Sequence, residues 1–92
     1  MITALILMHV ERDSVNATAQ ALLAIPGVAE VYSVTGDWDL VTVLRLPAYE
    51  DLATVVTEKM TGVKGILRTQ TMMAFKAYSR EDLEQAWDLG VQ

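Results

Sequence analysis

Residues Ser33–Leu46, SVTGDWDLVTVLRL, carry the reading of the fold. Gly36 permits the positive φ of a tight reversal, and Asp37 is placed to bond its own turn backbone. Leu40 to Leu46 follows as a strand rich in Leu and Val, ended by Pro47, and Val28 to Thr35 is the strand that precedes the turn. A plain hairpin needs only the glycine and one aspartate. Trp38 and Asp39 exceed that need. A bulky aromatic at a loop tip usually covers something, so the pair marks the hairpin as a contact or binding element as well as a turn.

Outward from the hairpin, Ile2 to Val10 is apolar on both alternating faces, with Ile2, Ala4, Ile6, Met8 and Val10 on one and Leu5 and Leu7 on the other. That pattern predicts a central strand covered on both sides. Asp13 or Ser14 caps a helix in which Val15, Ala19, Leu22 and Leu23 share a face, and Pro26-Gly27 stops it. After the hairpin, a helix from about Ala48 to Thr61 aligns Tyr49, Leu52, Val56 and Met60. Gly62 and Gly65 close it. Ile66 to Tyr78 reads as a long last strand, and Ser79 opens a short helix with Asp82 at capping-box spacing and a narrow stripe of Leu83, Ala86 and Trp87. So narrow a stripe must dock, on its own subunit or on a neighbour.

An offset of 38 residues lays Ile25-Pro26-Gly27-Val28 on Val63-Lys64-Gly65-Ile66 and the first strand on the third. The chain is strand-helix-strand written twice. The βαββαβ order predicts an α+β, ferredoxin-like antiparallel sheet, its first and third strands central and both helices on one face. The other face is then bare, yet the third strand is apolar on both sides: Leu40, Leu44 and Leu46 on one, Val41 and Val43 on the other. A two-fold dimer packed sheet against sheet is the expected cover. Residues 1–78 form the domain and 79–92 the terminal helix.

Composition agrees. Ninety-two residues make one small domain with much surface exposed, and the hydrophobic fraction of 52% is high for a soluble monomer. Some of that apolar surface is expected to meet another chain. Seven basic against twelve acidic residues give a net charge of −5 without a basic cluster, which argues against direct nucleic-acid binding. There is no cysteine, so disulfides and thiolate chemistry are excluded. The longest apolar run, Ile2 to Met8, is too short to span a membrane. No cationic leader precedes it, and a cytoplasmic protein is expected.

Thr35-Gly36-Asp37-Trp38-Asp39-Leu40, followed some 25 residues later by Gly65-Ile66-Leu67-Arg68-Thr69-Gln70-Thr71, resembles the regulation-of-amino-acid-metabolism domain. This is the effector-binding half of the Lrp/AsnC transcriptional regulators. The pattern there is roughly T-G-[DE]-[YW]-D at the hairpin and G-V-x-x-T-x-T at the start of the last strand; Ile66 departs conservatively, and the helix after Ser79 is extra. The similarity covers Ile2 to about Tyr78. No helix-turn-helix domain precedes the first strand, so the chain looks like the stand-alone form. The resemblance implies dimers that assemble into larger rings, with a free amino acid or related metabolite bound between dimers near the hairpin. By resemblance, Gly36, Asp37, Trp38 and Asp39 line one side of the pocket and Thr69, Gln70 and Thr71 another, partly from a neighbouring subunit. Asp39→Ala is then expected to abolish effector binding without unfolding. Co-assembly with full-length regulators of the family is a further implied partnership.

Other residues have plainer readings. His9, the sole histidine, is a polar cap on its strand. Asp37 and Asp39 have no further carboxylate nearby in sequence to complete a Ca²⁺ or Mg²⁺ site, so neither metal nor cofactor is expected. Thr69 and Thr71 also suit a strand on propensity alone. Met8, Met60, Met72 and Met73 read as adaptable core packing. The competing function is a small dimeric α+β barrel enzyme, monooxygenase or isomerase, on fold analogy alone; no nucleophile paired with a base can be read off. An ACT-type amino-acid sensor places its ligand loop after the first strand, and Val10-Glu11-Arg12-Asp13 has no glycine there.

Overall fold

The computed structural model describes residues 1–80. Its order is β1 (Ile2–Val10), a 3₁₀ turn (Arg12–Ser14), α1 (Val15–Leu23), β2 (Val28–Ser33), β3 (Leu40–Leu46), α2 (Tyr49–Thr54) and β4 (Ile66–Ala74). The strands lie in the order β2-β3-β1-β4, every neighbouring pair antiparallel. This is the α+β, ferredoxin-like arrangement that the repeated strand-helix-strand pattern predicts, with the first and third strands central. No helix among the described residues is long and apolar enough to cross a membrane.

Register decides what each face carries. Ala4 pairs with Leu44, Ile6 with Thr42 and Met8 with Leu40, and all six side chains are buried. Leu22 and Ile25 from α1 and its exit, together with Leu52, Val55 and Met60, join Ala4, Ile6, Met8, Leu40 and Leu44 in a single core. Both helices therefore cover the same face. On the opposite face Leu5 pairs with Val43 and Leu7 with Val41, and neither of the described helices covers them. Leu5, Leu7 and Val41 are half-buried there. Beside them on β2, the Tyr32 hydroxyl donates to Glu30 and Arg45 Nη1 donates to Glu30 Oε1 at 3.3 Å. The Tyr32 hydrogen bond first, and Arg45 second, hold the Glu30 carboxyl below the usual carboxylate range; the same bond raises the Tyr32 phenol.

Several boundaries and facings differ from the pattern reading, for identifiable reasons. The last strand stops at Ala74 rather than Tyr78, because Ala74 pairs with Thr3 near the beginning of β1 and the chain beyond has little partner strand left. The second strand ends at Ser33, two residues short of Thr35, where Val34 N–H donates to the Asp39 carbonyl at 3.1 Å and closes the hairpin. In α1, Leu23 is 51% exposed, and the buried positions are Thr18 and Leu22. Met8 and Met60 are buried as expected and Met73 half so, but Met72 pairs with Leu5 on the open face and is exposed. The second helix runs as α2 only to Thr54, then as a π turn (Val55–Lys59) and a 3₁₀ turn (Met60–Gly62). Tyr49 is exposed, and Val55 is buried in the core while Val56 packs against it half-buried. The helix expected from Ser79 lies outside the described residues.

Candidate functional site

The hairpin's aspartate is built into the end of the sheet. The paired register of β1 and β3 runs out at Met8 and Leu40. Asp39 extends it by one residue, its N–H donating to the Met8 carbonyl at 2.9 Å. Its side chain then does what the next backbone carbonyl would have done: Val10 N–H donates to Asp39 Oδ2 at 3.0 Å. That donor sits where the β1–β4 register shifts between His9 and Val10, and an unpaired, partly buried N–H there is costly. The first role of Asp39 is therefore structural, and replacing it tests the hairpin's anchorage as well as any ligand contact.

Trp38 is half-buried and covers a partner from its own chain. Its ring stacks on His9, with centroids 4.3 Å apart and planes 19° from parallel. The Arg68 guanidinium carbon stands 5.6 Å from the tryptophan centroid, within cation–π range. His9 and Arg68 are cross-strand partners of β1 and β4, so one ring lies over both. His9 Nδ1 is also 3.7 Å from Asp39 Oδ2. Asp37 and Gly36 remain exposed at the tip, where Gly36 has φ +101°, and the Asp37 carboxylate makes no hydrogen bond among the described residues.

The three candidates on β4 are divided by strand alternation. Thr69 pairs with Met8 and Thr71 with Ile6, which puts both on the helix side, whereas Gln70 pairs with Leu7 on the open side. Thr69 lines a groove of about 260 Å³ between β4 and the π and 3₁₀ turns, with Val56, Met60, Val63 and Ile66. Thr71 lines a shallower depression beside Tyr49 and Leu52. Within one subunit, then, the hairpin stands with Gln70 at the open face, and the two threonines lie on the other.

His9 and Arg68 were missed as partners of the hairpin. The signal was present in the pairing: if Leu40 opens β3 opposite Met8, Asp39 falls beside His9. No group of three or more His, Cys, Asp or Glu able to hold a metal occurs among the described residues.

The model of the Lrp/AsnC ligand binding domain matches residues 3–83. The uncharacterized HTH-type transcriptional regulator PF0250 of Pyrococcus furiosus is 34% identical over 82 residues, 86% of this chain and 55% of that protein. The chain thus spans about half the length of the curated relatives it matches. Among solved structures, TTHA0845 of Thermus thermophilus is 46% identical, with TM-score 0.80 over 87% of this chain and 100% of that one. Transcriptional regulator NMB0573 of Neisseria meningitidis, in complex with L-Met, shares the fold at TM-score 0.76 and 16% identity over 86% of this chain and 53% of that one. Sequence and fold agree: the chain belongs to the Lrp/AsnC ligand-binding domain family.

Proposed function

We propose that the chain is a non-enzymatic, oligomeric effector module that binds a free amino acid in a pocket completed by a neighbouring subunit. The observation that carries this reading is the division of the family motifs. Gly36, Asp37, Trp38 and Asp39 stand at the open face with Gln70, while Thr69 and Thr71 face the helices. A pocket using both sets needs the hairpin of one subunit against the threonine side of another.

Three further observations support it. Half-buried Leu5, Leu7 and Val41, with buried Val43, form the apolar middle of a sheet face that neither described helix covers, with Glu30, Tyr32 and Arg45 as a polar rim, the anatomy of a subunit interface. An amino acid needs acceptors for its ammonium and donors for its carboxylate, and the exposed Asp37 carboxylate and Thr69 and Thr71 hydroxyls are of those kinds. The regulators among the relatives, and the L-Met found in NMB0573, support small-molecule regulation within the family. On this reading the module acts in the cytoplasm and modulates amino-acid metabolism, by itself or in co-assembly with full-length regulators, without touching nucleic acid directly.

The test is thermal unfolding of the purified protein with each of the twenty amino acids at millimolar concentration. A ligand at about 100 times its dissociation constant adds about 2.7 kcal/mol, which in a domain this small raises Tm by roughly 10 °C. The expected result is a selective rise for one chemical group of amino acids. A flat response across all twenty contradicts the proposal.

A further inference from the structure

β4 is an edge strand, and the second helix leaves its helix side open. Thr69 and Thr71 face the helices there, yet both are exposed, and Met73 is half-buried. The groove of about 260 Å³ at Thr69, Met60 and Val63 and the shallower depression at Thr71, Leu52 and Tyr49 share Val56 as a wall. Together they make one trough between β4 and the second helix with its π turn. Half-buried Val56, Val63 and Ile66 give it an apolar lining, and its run along β4 from Thr69 to Met73 is ~14 Å.

The chain leaves β4 at one end of that trough. Ala74 pairs with Thr3, Ile2 pairs with Leu46, and Tyr49 opens α2 shortly after Leu46, so Ala74 and Tyr49 belong to the same end of the sheet. Phe75 and Tyr78 are exposed beyond Ala74, and the backbone turns helical at Arg80. Residues 81–92 follow outside the described part, with Leu83, Ala86 and Trp87 at i, i+3 and i+4, the spacing of one helical face. A helix continued from Arg80 to Leu89, before Gly90, would be ~15 Å long, the length of the trough. Residues 75–79 can span up to ~17 Å, more than the ~8–10 Å between packed elements, so the segment reaches the trough of its own subunit. The family match ends at residue 83, so most of the segment lies beyond the shared body.

We propose that residues 81–92 dock in this trough on their own subunit, with the stripe of Leu83, Ala86 and Trp87 against Val56 and Leu52. Trp87 has the most area to gain from burial. A tether this short holds the stripe at an effective concentration of about a millimolar, so a stripe too narrow for an independent element is wide enough here. The docking does not depend on the effector reading, but it bears on it. A docked segment lies over Thr69 and Thr71, and a neighbour's hairpin reaches them only when the segment is displaced.

The experiment is nuclear Overhauser spectroscopy of the full chain with labelled Leu, Val and Thr methyls. The expected result is contacts from the Trp87 indole to the methyls of Leu52, Val56 and Thr71. Refolding labelled and unlabelled chains together, and selecting contacts between the two, separates docking within a subunit from exchange between subunits; no Trp87 contact is expected between chains. Thr71→Arg, at an exposed position, puts a charge under the stripe and is expected to abolish the contacts while the core methyls of Leu22 and Leu44 keep their shifts. Thr57→Arg, exposed on the opposite bank, is expected to do the same and keeps the test decisive if Thr71→Arg misfolds. Trp87 contacts to Leu5, Leu7 or Val41 instead, contacts found only between chains, contacts that survive both substitutions, or an indole that touches no methyl each overturn the proposal. No ligand enters the measurement, so its failure leaves the effector reading standing.

Discussion

Asp39 shows how a side chain that the turn itself does not need anchors the hairpin to the end of the sheet. Its carboxylate accepts from Val10 N–H at the place where the strand ladder ends, so Asp39→Ala strands a partly buried donor, and the loss is about 1–3 kcal/mol. Chemical denaturation should show that loss, with Asp39→Asn restoring most of it through its amide oxygen; equal stability of all three proteins would refute the anchoring role. The sequence makes Asp39 conspicuous, because a turn does not need it, but assigns it to a ligand. What it withholds is the neighbour. Nothing in Val10-Glu11 announces an unpaired N–H, which follows only from the register of three strands. Trp38 was legible as a residue that covers something, while its cover, His9 and Arg68, becomes visible only when β1 and β4 are paired.

Element by element, the repeat was the most readable feature. Gly27 and Gly65, 38 positions apart, both precede a strand and have φ +96° and +94°, so the two halves use one backbone device. Its necessity at Gly65 is steric as well as torsional: a Cβ there would lie 2.5 Å from Thr18 Oγ1, the hydroxyl that donates to the Lys64 carbonyl at 2.9 Å. Gly65→Ala should therefore lower stability by more than the about 1–2 kcal/mol of left-handed backbone alone, measured by urea unfolding. The second helix was the least readable element. A period of 3.6 joins Tyr49, Leu52, Val56 and Met60, but the Met60 N–H bonds to the Val55 carbonyl five residues back, and the extra residue rotates the buried face. Residues of ordinary helical pattern give no warning of such a turn. Thr18 was overlooked for a similar reason, since its burial depends on a carbonyl 46 residues away.

For the whole molecule, the open sheet face is the largest consequence of the fold. Leu5 and Leu7 are central on it, paired with Val43 and Val41. The doubly apolar β1 foretold a strand needing cover on both sides; helices supply one cover, and the account assigns the other to a second copy. Leu7→Glu puts a charge in the middle of that face, where a lone subunit keeps it hydrated and an apposed sheet would bury it at high cost. The helix-side core is untouched, so the variant should still fold.

The direct measurement is the solution mass of wild type and Leu7→Glu by light scattering at tens of micromolar. The account predicts a wild-type mass of at least 20.2 kDa, twice the 10.1 kDa chain, and a folded Leu7→Glu protein at the single-chain mass. A wild-type protein of 10.1 kDa, with this face open in solution, would contradict it.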